Sequence, residues 1–87
     1  MGIKVHLGPY YHYTNNQRLV EVSGKTVKEC LSNLGAQFPD FKLFDRDGNI
    51  LSYIDIWLND EIVYSKSMNK PVKDGDEIVL RMMSIGG

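Results

Sequence analysis

The 87-residue chain is poor in the residues that cross-link or bind metals. Its one cysteine, Cys30, rules out a disulfide within the chain and favours a reducing compartment, by default the cytoplasm. His6 and His12 are too few and too loosely spaced for a tetrahedral metal site. No apolar run is long enough to span a bilayer. The segment from Met1 to Leu7 alternates in polarity and lacks the continuous apolar core of a signal peptide. Gly2 alone does not make a myristoylation signal, because His6 occupies the place of the Ser or Thr in that motif. The net charge is −1 and the basic residues are scattered, which argues against a nucleic-acid footprint. No glycine-rich phosphate loop follows a strand, so the chain itself is not expected to bind ATP. No Ser/His/Asp set or carboxylate pair stands out as a catalytic centre.

What is present fits one small domain. Hydrophobic residues make up 43% and charged residues 24%, as in ordinary globular domains. A chain of this length buries roughly 60–65% of the surface it exposes when unfolded, enough for one modest core. Ile3, Val5 and Leu7 alternate with Lys4 and His6 as a half-buried strand. The segment from Gly8 to Asn16 reads as an aromatic-rich loop, and Arg18 to Val22 as a second strand completing an enlarged hairpin. Thr26-Val27-Lys28-Glu29 forms a capping box, after which Val27, Leu31, Leu34 and Phe38 fall on one helical stripe. Pro39 ends that helix at or before Phe38.

Beyond the helix, Asp45-Arg46-Asp47-Gly48-Asn49 reads as a turn. A calcium loop is disfavoured, because a glycine at loop position six places Leu43, which cannot ligate, at position one. Ile54, Ile56 and Leu58 alternate as a third strand, and Asn59-Asp60 turns into a short strand from Glu61 to Tyr64. Lys73-Asp74-Gly75-Asp76 is a tight turn whose acids, through Glu77, are expected to be solvated. Ile78, Leu80 and Met82 are the expected inward residues of the last strand. The order β-β-α-β-β-β predicts an α+β domain with one helix packed across a sheet face.

The chain ends Arg81-Met82-Met83-Ser84-Ile85-Gly86-Gly87. Glycine makes up about 7% of ordinary sequence, so a closing Gly-Gly arises by chance in roughly 0.5% of chains. Lacking Cβ atoms, the pair can lie extended in a slot too narrow for other residues. A frayed terminus is the alternative reading.

The strand order, the stretches Leu43 to Asn49 and Ile54 to Asn59, the run Val72 to Ile78, and Gly86-Gly87 together resemble the β-grasp (ubiquitin-like) superfamily. Within it they resemble the ThiS/MoaD sulfur carriers, nearer to the MoaD-like proteins. The resemblance implies one β-grasp domain over residues 1–87, a mixed sheet of four to five strands on one amphipathic helix, and a flexible tail over 84–87. It implies that the Gly87 carboxylate is adenylated by an E1-like enzyme that uses ATP, with no cofactor held by this chain. The product becomes a thiocarboxylate that gives sulfur to molybdopterin, thiamine or amino-acid biosynthesis. Ile85 and Gly86 would thread the partner's active site.

The implied partners are the activating enzyme, a sulfur donor and a sulfur-accepting enzyme, with a synthase large subunit as one candidate, and the resemblance implies a carrier and not an enzyme. Such a sheet places the last strand between the first and third, so outward Val79, Arg81 and Met83 would neighbour His6 and Trp57 as a docking face. Trp57 covered by a loop is the alternative. Two further functional readings stay open: a protein modifier joined through Gly87 to lysines, and an interaction module without tail chemistry. Cys30, beside the helical stripe, is read as a buried structural thiol.

Overall fold

The structure, a computed structural model, describes residues 2–82. Strand β1 (Ile3–His6) leads through a 3-10 helix (Gly8–Tyr13) to β2 (Leu19–Val22) and the helix α1 (Val27–Gln37). Strands β3 (Ile54–Leu58) and β4 (Glu61–Val63) follow, then a short 3-10 turn (Ser65–Ser67) and β5 (Glu77–Met82). The sheet order is β2-β1-β5-β3-β4. Strand β5 runs parallel to β1 and antiparallel to β3, and both hairpins are antiparallel.

Alternation sends one set of side chains to each sheet face, and the inward set meets the helix. Val5, Leu7, Ile78 and Leu80 are fully enclosed against Val27, Cys30, Leu31 and Leu34 of α1. Enclosing each such aliphatic side chain contributes about 1.5–3 kcal/mol relative to leaving it in water. Thr26 caps α1 by accepting from the Glu29 backbone N–H at 3.1 Å. The Glu29 carboxylate reaches one residue further back than a capping box requires, accepting from the Lys25 N–H at 3.0 Å. Phe38 is the C-cap and only partly buried. Phe41 and Leu43, which show no periodicity, nevertheless join the core.

Several boundaries differ from the sequence reading. The aromatic loop is a 3-10 helix with Pro9 in its first turn and Tyr10 buried. Gly8 starts it at φ 54°, where a Cβ would lie 2.3 Å from the Leu80 carbonyl oxygen, so only glycine lets this segment close on β5. Asn15 and Asn16 complete the connection with φ of 55° and 63°, a conformation Asn tolerates better than most residues. Arg18 lies outside β2, its guanidinium 4.1 Å from the centre of the Tyr11 ring. Met82, expected inward, is 60% exposed. It occupies the last pair of the β3–β5 ladder, beyond the level of Leu80 at which Gly8 closes the core. Asp76 is buried and hydrogen-bonded, where a solvated turn acid was expected.

Candidate functional site

Register carries one residue from every strand into a row across the outer sheet face. Leu19 pairs with His6, His6 with Val79, Val79 with Trp57, and Trp57 with Ile62. With neighbouring strands about 4.8 Å apart, this row is roughly 19 Å long. Leu19 is exposed and the other four are half-buried, as befits a face over which the described residues place no second layer. The structure thus brings His6, Val79 and Trp57 side by side.

Arg81, one outward position further along β5, pairs with Asp55 in the ladder, and its guanidinium lies over the Trp57 ring at 4.8 Å. The indole face therefore carries a cation, an arrangement the ring quadrupole favours. Trp57 Nε1 is enclosed and finds no hydrogen-bond partner among the described residues. The sequence reading offered a free outward ring or a loop-covered one; its face carries Arg81. On the opposite side of the row, His6 Nε2 pairs with the Glu77 carboxylate, and Lys4 lies beside Glu77 in register. The apolar row is thus bordered by charge on both sides.

Leu19 and Ile62 were missed as members of this face. Their outward placement follows from alternation with the buried Val20 and Val63, but only strand pairing puts them in line with Val79. Met83, Ile85, Gly86 and Gly87, and with them the expected tail over 84–87, lie outside the described residues. Cys30 is fully buried, and burial raises its thiol pKa, with Glu29 adding a smaller push in the same direction. That suppresses the nucleophilic thiolate. Among the described residues no group of three or more His, Cys, Asp or Glu side chains is placed to hold a metal ion, and no helix is long and apolar enough to cross a membrane.

A five-stranded mixed sheet with β5 inserted between β1 and β3, and one helix across its inner face, is the β-grasp, ubiquitin-like fold. The ThiS family model matches residues 7–80, and the chain belongs to that family. CysO of Amycolatopsis orientalis, solved as a complex with BexX, is similar at 26% identity and TM-score 0.82, covering 98% of this chain and 99% of that one. The structure of subunits 1 and 2 of molybdopterin-converting factor from Helicobacter pylori contains a chain 27% identical, with full coverage of both and TM-score 0.60. Small archaeal modifier protein 1 of H. volcanii shares the fold at 23% identity and TM-score 0.76, with 90% of this chain and 92% of that one covered. No curated protein sequence matches the chain.

Proposed function

We propose that this protein is a sulfur carrier whose working group is the Gly87 carboxylate. An ionised carboxylate, with a pKa near 3.5, is a poor electrophile and must be activated before sulfur can attack it. In the proposed sequence a carboxylate oxygen attacks the α-phosphorus of ATP on an E1-like enzyme, releasing pyrophosphate. Hydrosulfide released by the sulfur donor then attacks the acyl carbon and displaces AMP, leaving a thiocarboxylate on Gly87. The sulfur passes to a biosynthetic enzyme, with molybdopterin, thiamine and amino-acid pathways as the candidate destinations. The observation that supports this reading best is the ThiS-family match over residues 7–80, joined to a Gly86-Gly87 pair that follows the matched region.

The chain contributes the carboxylate and a surface; the partners contribute the chemistry. The row Leu19, His6, Val79, Trp57 and Ile62, with Arg81 beside it, is the proposed docking face. Its apolar centre and charged borders match the anatomy of a protein interface. The A. orientalis and H. pylori relatives were each solved with a partner protein, which supports a protein-binding role for this chain.

Intact-protein mass spectrometry after incubation with the activating enzyme, ATP and a sulfur source tests the proposal. The parent should exchange one oxygen for sulfur, and the gain should map to the C-terminal peptide and not to Cys30. A one-residue extension after Gly87 and the substitution Gly86→Val should both abolish the gain without moving the melting temperature. Sulfur gained at Gly87 by an untrimmed extended chain would sink the proposal. A ladder of lysine adducts in cells that disappears when Gly86-Gly87 is deleted would favour a protein modifier instead.

A further inference from the structure

A second aromatic surface lies beside the start of β3. The Tyr10 hydroxyl donates to the Tyr53 carbonyl at 3.2 Å, tying the 3-10 helix to that strand. The Tyr10 and Tyr13 rings both stack on Phe41, with centroids 5.6 and 5.3 Å away. Tyr10 and Phe41 are buried, whereas Tyr13 and Tyr53 are 43% and 49% exposed. Together with Asp40 and Lys42 these four rings line a groove of about 160 Å³, of a size to hold one long side chain.

Charge selects the occupant. Asp40 and Lys42 flank the buried Phe41 and are both exposed. Asp55 alternates with the buried Ile54 and Ile56, two residues beyond Tyr53. Burial raises the Tyr10 phenol pKa most, and Tyr53, Asp55 and Tyr13 push it further the same way, so the Asp55 charge acts at the groove. Two carboxylates thus stand against one ammonium, and none of the three is in an ion pair among the described residues. The balance favours a cation.

Two other rings of this molecule already carry one. Arg18 lies 4.1 Å from the centre of the Tyr11 ring, and Arg81 lies 4.8 Å from that of Trp57. Tyr53, by contrast, has neither a cation nor a stacked ring over it among the described residues. Lys42 lines the groove but covers none of its rings. A planar guanidinium suits the place better than an ammonium, because it stacks on an aromatic face while donating to a carboxylate at its edge. A leucine would fill the volume and leave the acids unanswered.

We propose that this groove receives an arginine side chain of a partner protein. The guanidinium stacks on Tyr53 and donates to Asp40, while the methylene stem packs against Tyr13 and Phe41. Lys42 opposes the incoming charge and limits the affinity. The site needs neither the C-terminal glycines nor sulfur, so it does not depend on the carrier reading.

An NMR titration of the isotopically labelled full chain with N-acetyl-arginine methylamide tests it, with the leucine and glutamate analogues for comparison. The arginine analogue should shift the signals of Tyr13, Phe41, Lys42 and Tyr53 saturably. It should bind about two- to fivefold more tightly than the leucine analogue, the gain an exposed cation–π contact supplies. The glutamate analogue should bind most weakly. Tyr53→Ala should remove the preference for arginine; its ring is exposed and outside the core cluster, so the domain stays folded. Asp40→Asn should weaken arginine binding about twofold and Lys42→Ala should strengthen it by a similar factor, as expected of exposed charges. An absent or unsaturable response to arginine would overturn the proposal, as would a leucine or glutamate analogue that binds equally well. Retention of the arginine preference in Tyr53→Ala would overturn it too. None of these readouts involves ATP or sulfur, so the result stands apart from the fate of the carrier proposal.

Discussion

The carboxylate of Asp76 accepts from the Lys73 backbone N–H at 2.9 Å and from Asn59 Nδ2 at 3.0 Å, while Asn59 Oδ1 accepts from the Glu77 N–H at 3.0 Å. Two turns distant in sequence are thereby clamped together at the start of β5. These backbone and side-chain hydrogen bonds favour the ionised form and hold its pKa below the ordinary 3.8. A depressed carboxylate pKa adds stability that is present above the unfolded value and is lost as pH falls through the folded one. Urea melts of the parent and Asp76→Asn should therefore differ most at neutral pH. The difference should shrink as pH drops below about 4, the unfolded carboxylate range. A gap that stays constant down to the acid end would mean that the Asp76 charge is irrelevant to folding.

Helix α1 combines a strong start with a weak interior. The Thr26 cap and the Val27, Leu31 and Leu34 stripe fix its position, but Gly35 in its last turns raises the entropy lost on folding. A Cβ added at Gly35 would meet only Leu43 Cδ1, at 3.9 Å, an ordinary contact. Gly35→Ala should thus stabilise the domain by about 0.5–1 kcal/mol. Thermal melts should show a rise of a few degrees, and a fall would mean that the helix needs glycine there for another reason. By the same geometry Leu31→Ala, which empties a fully enclosed site, should cost about 2–5 kcal/mol.

Across the whole molecule, the sheet keeps its two faces for different purposes. The inner face is filled by α1, whereas the outer face presents an apolar row with a stacked Arg81–Trp57 pair at its edge. Arg81 is exposed, so Arg81→Glu should leave the melting temperature nearly unchanged. If the outer face is the proposed docking surface, the change should weaken binding to the proposed activating enzyme several-fold, mainly through slower association. Affinity equal to the parent's in a titration would move the docking surface off this face. Trp57→Ala is a less clean probe, because the ring is half-buried and its loss disturbs the sheet as well as the surface.

The sequence by itself determined the existence of the strands and the helix and most of their inward residues, Met82 and the half-buried Phe38 excepted. Each follows from a local period: two for Ile3, Val5 and Leu7, and near 3.6 for Val27, Leu31 and Leu34. It also marked the turn at Lys73 to Asp76, where Gly75 adopts φ of 93°. Through the resemblance to the sulfur carriers it placed β5 between β1 and β3, and so joined His6, Val79 and Trp57. The tertiary structure alone decided what depends on distant chain segments meeting. Leu19 and Ile62 enter the outer row only through pairing register, and Asp76 leaves solvent only because Asn59 arrives beside it. The aromatic stretch looked like a loop because its packing partners, Phe41 and Tyr53, lie some thirty to forty residues further along. No periodic pattern encodes such contacts, since a period describes one element and these contacts join several.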